Sequence, residues 1–442
     1  MRVCMIGLGY VGLVTGTCLA ENGNDVWGID RDQKRIEMLQ GGKLPIYEPG
    51  LDAYIKRNLE QGRLHFSTDI EEGVSESLFI MLAVGTPGSP DGSADTSQVI
   101  SAARAIGRTM NGYKIIVTKS TVPVGTTARV KEAVAEELSK RKRDDIEFDV
   151  AFCPEFLKEG SAVEDFLHPD RIVIGTENDR TSEFLKELFA PFVMRDNRFY
   201  TMSIPSAELT KYAANSMLAT RISFMNQLAG LCEKVGADIE EIRMGIGTDK
   251  RIGNAFLYAG LGYGGSCLPK DVKALLHSAE ESGADLPILR EVERVNERQK
   301  RILLERIAGH FGEDLCDRTF AVWGLSFKPH TDDMRDAPSI PIINALRERG
   351  ASVRAYDPAA MNNARKIFGD VGIIYCKDAY DAVTDSDGLL LLTEWPPFRR
   401  PDFERVRSLM KTPVIFDGRN QYDPRRKKDL GFVYFGIGRK QE

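Results

Sequence analysis

No C-x-x-C pair occurs among the seven cysteines of this 442-residue chain, and their number is odd. A disulfide scaffold and a zinc site of ordinary spacing are both excluded as organising features, and a reducing cytoplasm is the compartment that fits. No apolar run reaches the length of a membrane span. The opening M-R-V-C-M-I-G enters a strand pattern at once, without the basic stretch, apolar core and cleavage site of a secretory leader. Nor is there a basic block: 59 Lys and Arg face 65 Asp and Glu, for a net charge of −6. That balance sets aside nucleic acid and anionic membranes as partners, while allowing a local basic pocket for a phosphorylated small molecule. No segment is low in complexity. The one dense charge run, K-R-K-R-D-D at 140–145, reads as a solvated helix end.

The length exceeds what one core fills, so two or three domains are expected. From 1 to about 199, the runs V-C-M-I-G, D-V-W-G-I-D, L-F-I-M-L-A-V, K-I-I-V-T-K-S and D-V-A-F-C alternate with helical patterns. Such alternation predicts a parallel sheet with helices on both faces. From 205 to about 301 the pattern is helical. Leu209, Tyr212, Ala213, Met217, Phe224, Leu228 and Leu231 recur at roughly three- and four-residue steps, predicting a long helix that stops near Gly236. Near Arg318 a second α/β pattern begins, with T-F-A-V-W-G-L, A-S-V-R-A-Y-D-P, D-G-L-L-L-L-T and P-V-I-F-D-G as strands. Three domains are therefore expected, at 1–200, 201–300 and 301–442.

Two loops carry chemistry. Gly7, Gly9 and Gly12 form G-L-G-Y-V-G between the first strand and a helix. Glycines at that spacing allow the tight turn, the close approach of a pyrophosphate and close helix packing, with the helix N-terminus favouring the phosphate charge. Asp30, at the end of the second strand, suits the ribose hydroxyls and repels a 2′-phosphate, so NAD is favoured over NADP. Arg31 beside it is the residue that can accommodate that phosphate. The second loop, G-L-G-Y-G-G-S-C-L-P-K-D at 260–271, sets Cys267 among glycines with Lys270 and Asp271 behind it. A buried structural cysteine needs none of that company, whereas a reactive thiolate is stabilised by nearby cations and N–H groups.

Further motifs stand in order along the chain: P-I-Y-E-P-G-L (45–51), A-V-G-T-P (83–87), S-T-V-P-V-G-T-T (120–127), P-E-F-L-K-E-G (154–160), E-L-T-K-Y-A-A-N (208–215), R-I-G-N-A-F-L-Y-A-G-L (251–261) and S-F-K-P-H-T-D-D-M-R (326–335). With the two loops, they make the sequence resemble the UDP-glucose/GDP-mannose dehydrogenase family over almost its whole length. The resemblance implies an α/β chain with an N-terminal Rossmann-type NAD domain, a central long-helix dimerisation domain and a C-terminal Rossmann-like nucleotide-sugar domain. It also implies a homodimer and a four-electron oxidation of a sugar C6 alcohol to a carboxylate, using two NAD⁺ and passing through a thiohemiacetal and thioester on Cys267.

Site roles carried over by the resemblance are as follows. Cys267, Lys211, Asn215, Asp271, Glu155 and Thr121 are catalytic, with Lys211 and Asn215 on one helix face as oxyanion donors and Glu155 as acid/base for hydrolysis. Gly7, Gly9, Tyr10, Val11, Gly12, Asp30, Arg35, Thr86, Thr121, Glu159, Lys270 and Arg335 bind cofactor. Glu155, Phe156, Leu157, Lys211, Asn215, Arg251, Phe256, Leu257, Tyr258, Gly264, Lys328 and Arg419 bind substrate, Arg251 across a dimer interface. No metal is implied. The base for the first oxidation is left open between Lys211, Glu155 and a water held by Asp271. UDP-glucose is the favoured substrate, because R-I-G-x-x-F-L looks like the UDP-glucose enzymes. C-L-P-K-D also occurs in GDP-mannose enzymes, and Leu268 departs from the phenylalanine common in bacterial UDP-glucose enzymes, so GDP-mannose and UDP-amino sugars stay open. A non-catalytic NAD-binding protein of the same fold is a different class of reading. Intact Cys267, Lys211, Asn215 and Glu155 speak against it, and a two-electron dehydrogenase would have no use for the cysteine.

Overall fold

The computed structural model describes residues 1–193 and 198–439. The chain divides into two compact units, Met1–Ala214 with His277–Gly283, and Asn215–Leu276 with Ala284–Glu442. In the first unit the strands are β1 (Arg2–Ile6), β2 (Asp25–Ile29), β3 (Leu64–Ser67), β4 (Phe79–Leu82), β5 (Lys114–Thr118), β6 (Phe148–Phe152), β7 (Ile172–Thr176) and β8 (Phe199–Met202). They form one sheet in the order β3-β2-β1-β4-β5-β6-β7-β8. β4 and β5 are buried throughout, as strands covered on both faces must be, and their residues alternate between two cores. Phe79, Met81, Ile115 and Val117 join Val3 and Met5 on one face. Ile80, Leu82 and Ile116 join Cys4 and Ile6 on the other.

The expected parallel sheet holds from β3 to β6, but β7 pairs with β6 antiparallel, and β8 then runs parallel to β7. A parallel neighbour requires the chain to cross back to the start of the sheet. Here the segment after β6, which carries P-E-F-L-K-E-G, leads into β7 from the C-terminal edge instead.

Register decides where the motifs land. Ile6 pairs with Ile29 and Leu82, Leu82 with Thr118, and Thr118 with Phe152. The residues that follow, Gly7, Asp30, Ala83, Lys119 and Cys153, therefore leave the sheet at one edge. The strand order reverses between β1 and β4, which is where open α/β sheets bind ligands.

The second unit repeats the plan with β9 (Thr319–Trp323), β10 (Ser352–Tyr356), β11 (Ile373–Tyr375), β12 (Gly388–Leu391), β13 (Val414–Asp417) and β14 (Val433–Phe435). All its pairs are parallel, in the order β11-β10-β9-β12-β13-β14. Phe320 and Val322 face one core, Ala321 and Trp323 the other.

The long helix covers Ile204–Val235 and ends at Gly236, whose φ of +73° suits glycine. Its apolar positions do not form one stripe. Tyr212 is buried and Leu228 partly so, but Leu209, Met217, Phe224 and Leu231 are exposed. The buried face is built from smaller and polar residues, among them Ala219, Ser223, Asn226, Ala229 and Cys232. Small side chains let a helix backbone approach its neighbours closely, and three- and four-residue spacing alone does not tell an inner from an outer stripe. No helix among the described residues is long and apolar enough to cross a membrane.

Candidate active site

β1 ends at Ile6, and the chain turns through Gly7 (φ +94°) into the helix Tyr10–Glu21. A Cβ on Gly7 would fall 2.8 Å from the Ala83 carbonyl oxygen, and one on Gly12 only 1.9 Å from that of Gly7; at Gly9 it would meet nothing within 4 Å. Packing therefore demands glycine at the first and third positions, while the second leaves the helix N-terminus open to approach. Asp30 sits beside this turn. Its Oδ2 accepts the Leu8 N–H at 2.8 Å and pairs with Arg35 at 3.1 Å, and its Oδ1 accepts the Asp32 N–H. Arg31, the cation weighed from sequence, is exposed, and the arginine on Asp30 is Arg35. Tyr10 and Val11 open the helix, both partly buried. These residues fit a dinucleotide, with backbone N–H groups at a helix N-terminus for the pyrophosphate and a carboxylate at the strand end for the ribose.

The loops after β4, β5 and β6 supply the next layer. Thr86 donates its hydroxyl to the Thr121 carbonyl at 2.9 Å, bringing two expected cofactor residues together. Glu155 is buried three residues past β6. Its Oε1 is 2.9 Å from Lys211 Nζ, and its Oε2 accepts the Leu157 N–H at 2.6 Å. Lys211 Nζ also donates to the Glu155 carbonyl at 2.7 Å and lies 5.3 Å from the centre of the Phe156 ring. Burial alone would raise the Glu155 carboxyl. The Lys211 charge and hydrogen bond, the Leu157 N–H and the charge of Lys119 outweigh it and hold the carboxyl below the usual range. Glu159 is half-buried on the same loop.

Two charged groups behind this loop escaped sequence reading. Buried Lys119 donates to the carbonyls of Cys153 at 3.1 Å and Pro154 at 3.4 Å. Glu208, one turn before Lys211, accepts the N–H groups of Gly125 at 2.7 Å and Thr127 at 2.9 Å, tying the Thr121 loop to the long helix. Glu208 opens the motif at 208–215, and Lys119 stands one residue before the motif at 120–127; that placement was the only signal of their roles.

In the second unit, Cys267 sits at the start of the helix Leu268–Glu281, and its carbonyl accepts the Asp271 N–H at 2.9 Å. The Ser266 hydroxyl lies 3.4 Å from its sulfur. A helix N-terminus favours negative charge. Elsewhere Cys4, Cys18 and Cys153 are buried thiols that burial pushes upward, Cys18 to about 12. Half-buried Cys267 is set apart from them. Asp271, buried in the first turn, accepts from Asn215 Nδ2 at 2.6 Å and pairs with Lys270 at 2.6 Å, joining three of the expected residues.

The cysteine loop is shaped by its glycines. A Cβ at Gly262 would strike Asn296 Oδ1 at 2.4 Å, and one at Gly264 the Asp336 carbonyl at 2.4 Å. Three buried amides hold the loop's backbone, none of them foreseen. Asn226 accepts from Gly260 N–H, Gln299 donates to the Gly260 carbonyl, and Asn296 both accepts from and donates to Tyr263. Nothing local in the sequence marks these amides as buried. Gly265 N–H donates to the Arg335 carbonyl at 2.8 Å, so the 326–335 motif supports the cysteine loop from behind.

Arg419 follows β13 and donates to the carbonyls of Leu392 at 2.7 Å and Phe327 at 3.2 Å, beside Glu394 at 3.3 Å. Lys328 is next to Phe327, its ammonium 5.4 Å from that ring. Phe256 adopts a left-handed φ of +60°, Leu257 is buried, and Tyr258 is exposed with the Arg243 guanidinium 4.7 Å from its ring centre. The side chains of Arg335 and Arg251 point outward, on Asp333 and Asp249 respectively.

Family models match the chain in three successive stretches, described as the NAD binding domain (1–193), central domain (205–298) and UDP binding domain (321–424) of the UDP-glucose/GDP-mannose dehydrogenase family. A UDP-glucose 6-dehydrogenase of Pseudomonas aeruginosa is 48% identical over 99% of this chain and 98% of its own length. One from Rhizobium meliloti is 43% identical over 99% of this chain and all of its own length. The solved UDP-glucose dehydrogenase of Pyrobaculum islandicum superposes with a TM-score of 0.91 at 39% identity, covering 99% and 97% of the two chains. A UDP-D-ManNAc dehydrogenase of Pyrococcus horikoshii superposes with a TM-score of 0.86 at 27% identity over both full lengths.

Proposed function

The chain belongs to the UDP-glucose/GDP-mannose dehydrogenase family, and on that footing we propose that it oxidises the C6 alcohol of UDP-glucose to the carboxylate of UDP-glucuronate. NAD⁺, held by the Gly7–Gly9–Gly12 turn and Asp30, supplies the hydride acceptor for both oxidations when bound. The rest of the chemistry falls to the chain. Loss of the alcohol proton and a C6 hydride gives an aldehyde. The Cys267 thiolate adds to it, forming an S–C6 bond, and the carbonyl oxygen takes a proton. Loss of a second hydride and that proton leaves a thioester. Water then attacks C6, the S–C6 bond breaks, and the cysteine is regenerated.

Lys211 and Asn215, four residues apart and so on one helix face, are assigned to the negative charge developing on the sugar oxygen. Glu155, held ionised, takes a proton from the attacking water, with Thr121 and Asp271 ordering that water. The base of the first oxidation stays among Lys211, Glu155 and an Asp271-held water. The remaining cofactor and substrate residues keep the roles the resemblance implies, and the functional division stays at 1–200, 201–300 and 301–442. The observation that carries the reading is Cys267 at a helix start, with buried Asp271 bound to both Asn215 and Lys270. Relatives at 43–48% identity named for UDP-glucose favour that sugar over GDP-mannose or an amino sugar.

Assembly as a homodimer is supported by the long helix, where Met217, Phe224 and Leu231 expose more than half of their surface at seven-residue intervals. A cytoplasmic setting is supported by seven cysteines of which none is in a disulfide. The direct test measures NADH formed with UDP-glucose, GDP-mannose, UDP-N-acetylglucosamine and UDP-galactose. UDP-glucose should yield two NADH per sugar with the highest kcat/KM, and a better rate with another sugar overturns the substrate assignment. Glu155→Gln should stall hydrolysis and accumulate a hexuronyl adduct on Cys267, visible by intact mass and removed by hydroxylamine. NADH formation without that adduct would overturn the covalent route.

A further inference from the structure

The motif P-I-Y-E-P-G-L has no part in the chemistry above, yet in the stretch 41–50 it holds the one buried residue, and that residue is a carboxylate. Glu48 lies between the helices Gln33–Gln40 and Leu51–Glu60, with Tyr47 and Pro49 exposed on either side. Desolvating a carboxylate is unfavourable unless donors replace the water. Glu48 has four. Its Oε1 accepts the backbone N–H of Ala162 at 2.7 Å and of Val163 at 3.4 Å. Its Oε2 accepts the N–H of Gly160 at 2.7 Å and the hydroxyl of Tyr10. Gly160 N–H also lies 2.8 Å from the Tyr10 oxygen, so the three groups close on one another. Burial, and then the bond to Glu48, drive the Tyr10 hydroxyl far above its usual range, which keeps it a donor.

The groups joined here belong to different parts of the reaction. Tyr10 is the first residue of the helix whose N-terminus receives the dinucleotide. Gly160, at a φ of +81° that suits glycine, closes the loop bearing Glu155 and Glu159. We propose that Glu48 is a positioning residue that fastens the Glu155 loop to the dinucleotide turn, so that cofactor seating and the register of the acid/base loop depend on one carboxylate. This rests on the reading in which Glu155 assists thioester hydrolysis. A brace that served the fold alone would change melting temperature without singling out one ligand or one step.

The test uses the full-length enzyme as Glu48→Gln, Tyr10→Phe and the double variant, with Glu155→Gln as control. Glutamine preserves shape but turns an amide toward N–H donors, and one charge-assisted hydrogen bond is worth about tenfold or more in an equilibrium. Glu48→Gln should weaken calorimetric NAD⁺ binding, measured without sugar, by about tenfold and accumulate the Cys267 adduct. Its KM for UDP-glucose should stay within about twofold, since no sugar contact is touched. Tyr10→Phe leaves Glu48 its backbone donors and should move both quantities the same way by less. The double variant should fall short of the sum. Unchanged NAD⁺ affinity, or weakened affinity without adduct, overturns the proposal; if Glu48→Gln does not fold, Tyr10→Phe decides on the same two readouts. Adduct in Glu155→Gln but not in the Glu48 and Tyr10 variants refutes the coupling alone. Its absence in Glu155→Gln refutes the hydrolytic reading and the proposal with it.

Discussion

Replacing Gly9 by alanine separates what the N-terminal glycine turn does for the fold from what it does for the cofactor. Gly9 has φ −70° and ψ −166°, extended backbone that any residue adopts, and a methyl there would meet no atom within 4 Å. Alanine also narrows the unfolded ensemble, so Gly9→Ala should stabilise the apoprotein by about 0.4–1 kcal/mol. For a unit of some two hundred residues that is roughly 1–4 °C in Tm. The same methyl stands before the first N–H groups of the helix Tyr10–Glu21. Displacing a pyrophosphate from one charge-assisted hydrogen bond costs ~1.5–3 kcal/mol, so NAD⁺ affinity should fall by about 10- to 100-fold. Gly12→Ala should do the reverse damage. Its methyl would lie 1.9 Å from the Gly7 carbonyl oxygen, and overpacking of that kind costs ~1–3 kcal/mol or more in stability. Calorimetric melting without ligand, followed by NAD⁺ titration, reads both effects. A Gly9→Ala protein that melts below its parent, or binds NAD⁺ as tightly, would refute the reasoning.

Three further outcomes follow from the geometry. Glu155 titrates lower in the fold than in the unfolded chain, so its pairing with Lys211 stabilises fully above the ordinary value of 4.5 and is lost as pH falls through the folded value. Lys211→Met should cost about 3–5 kcal/mol near neutrality by stranding a buried carboxylate; its Tm relative to the parent should improve toward low pH, and a pH-independent gap would show that the pair is not the cause. Asp30→Ala should weaken NAD⁺ binding and narrow the preference over NADP⁺, whereas equal kcat/KM for both cofactors in the parent would show that Arg31 or Arg35 governs the pocket. Mixing Arg251→Ala chains with Cys267→Ser chains should restore activity if Arg251 acts across a dimer, and a fully active monomer in sedimentation would dispose of that assignment.

The elements legible in the sequence were those whose cause is local. Val3 and Met5 against Cys4 and Ile6 show the period of a strand buried on both faces, and Gly7, Gly9 and Gly12 announce their turn by spacing alone. What stayed hidden depends on partners far away in sequence. Glu155 and Lys211 stand 56 residues apart, and nothing at either position reveals the ion pair. Asn296 reads as polar surface in a charged helix, yet it is fully buried because the glycine loop brings Tyr263 to it from 33 residues upstream. Which of the helix's apolar residues would be exposed, as Met217, Phe224 and Leu231 are, was not legible, because apolar spacing reports a stripe without saying which way it faces. The reversal of β7 was illegible for a related reason: strand composition carries no direction.

The two sheets also show one turn put to two uses. Gly7 follows β1 and donates its N–H to the Ile29 carbonyl at 2.8 Å; Gly324 follows β9 and donates to the Tyr356 carbonyl at 2.9 Å. Leu8 N–H meets Asp30 at 2.8 Å, as Leu325 N–H meets Asp357 at 2.7 Å. Each aspartate then accepts the N–H two residues on, from Asp32 at 3.0 Å and Ala359 at 2.8 Å. The copies diverge in what surrounds the carboxylate. Asp30 has Arg35 as a side-chain partner and stands at the entrance to a helix that begins within three residues of Gly7. Asp357 is buried and takes, besides those two, Ala360 N–H, Ser326 N–H, the Ser326 hydroxyl and the Trp395 indole. A carboxylate offers about four lone-pair sites, and six donors leave none for a ribose. The second turn is a brace for the Ser326–Phe327–Lys328 segment.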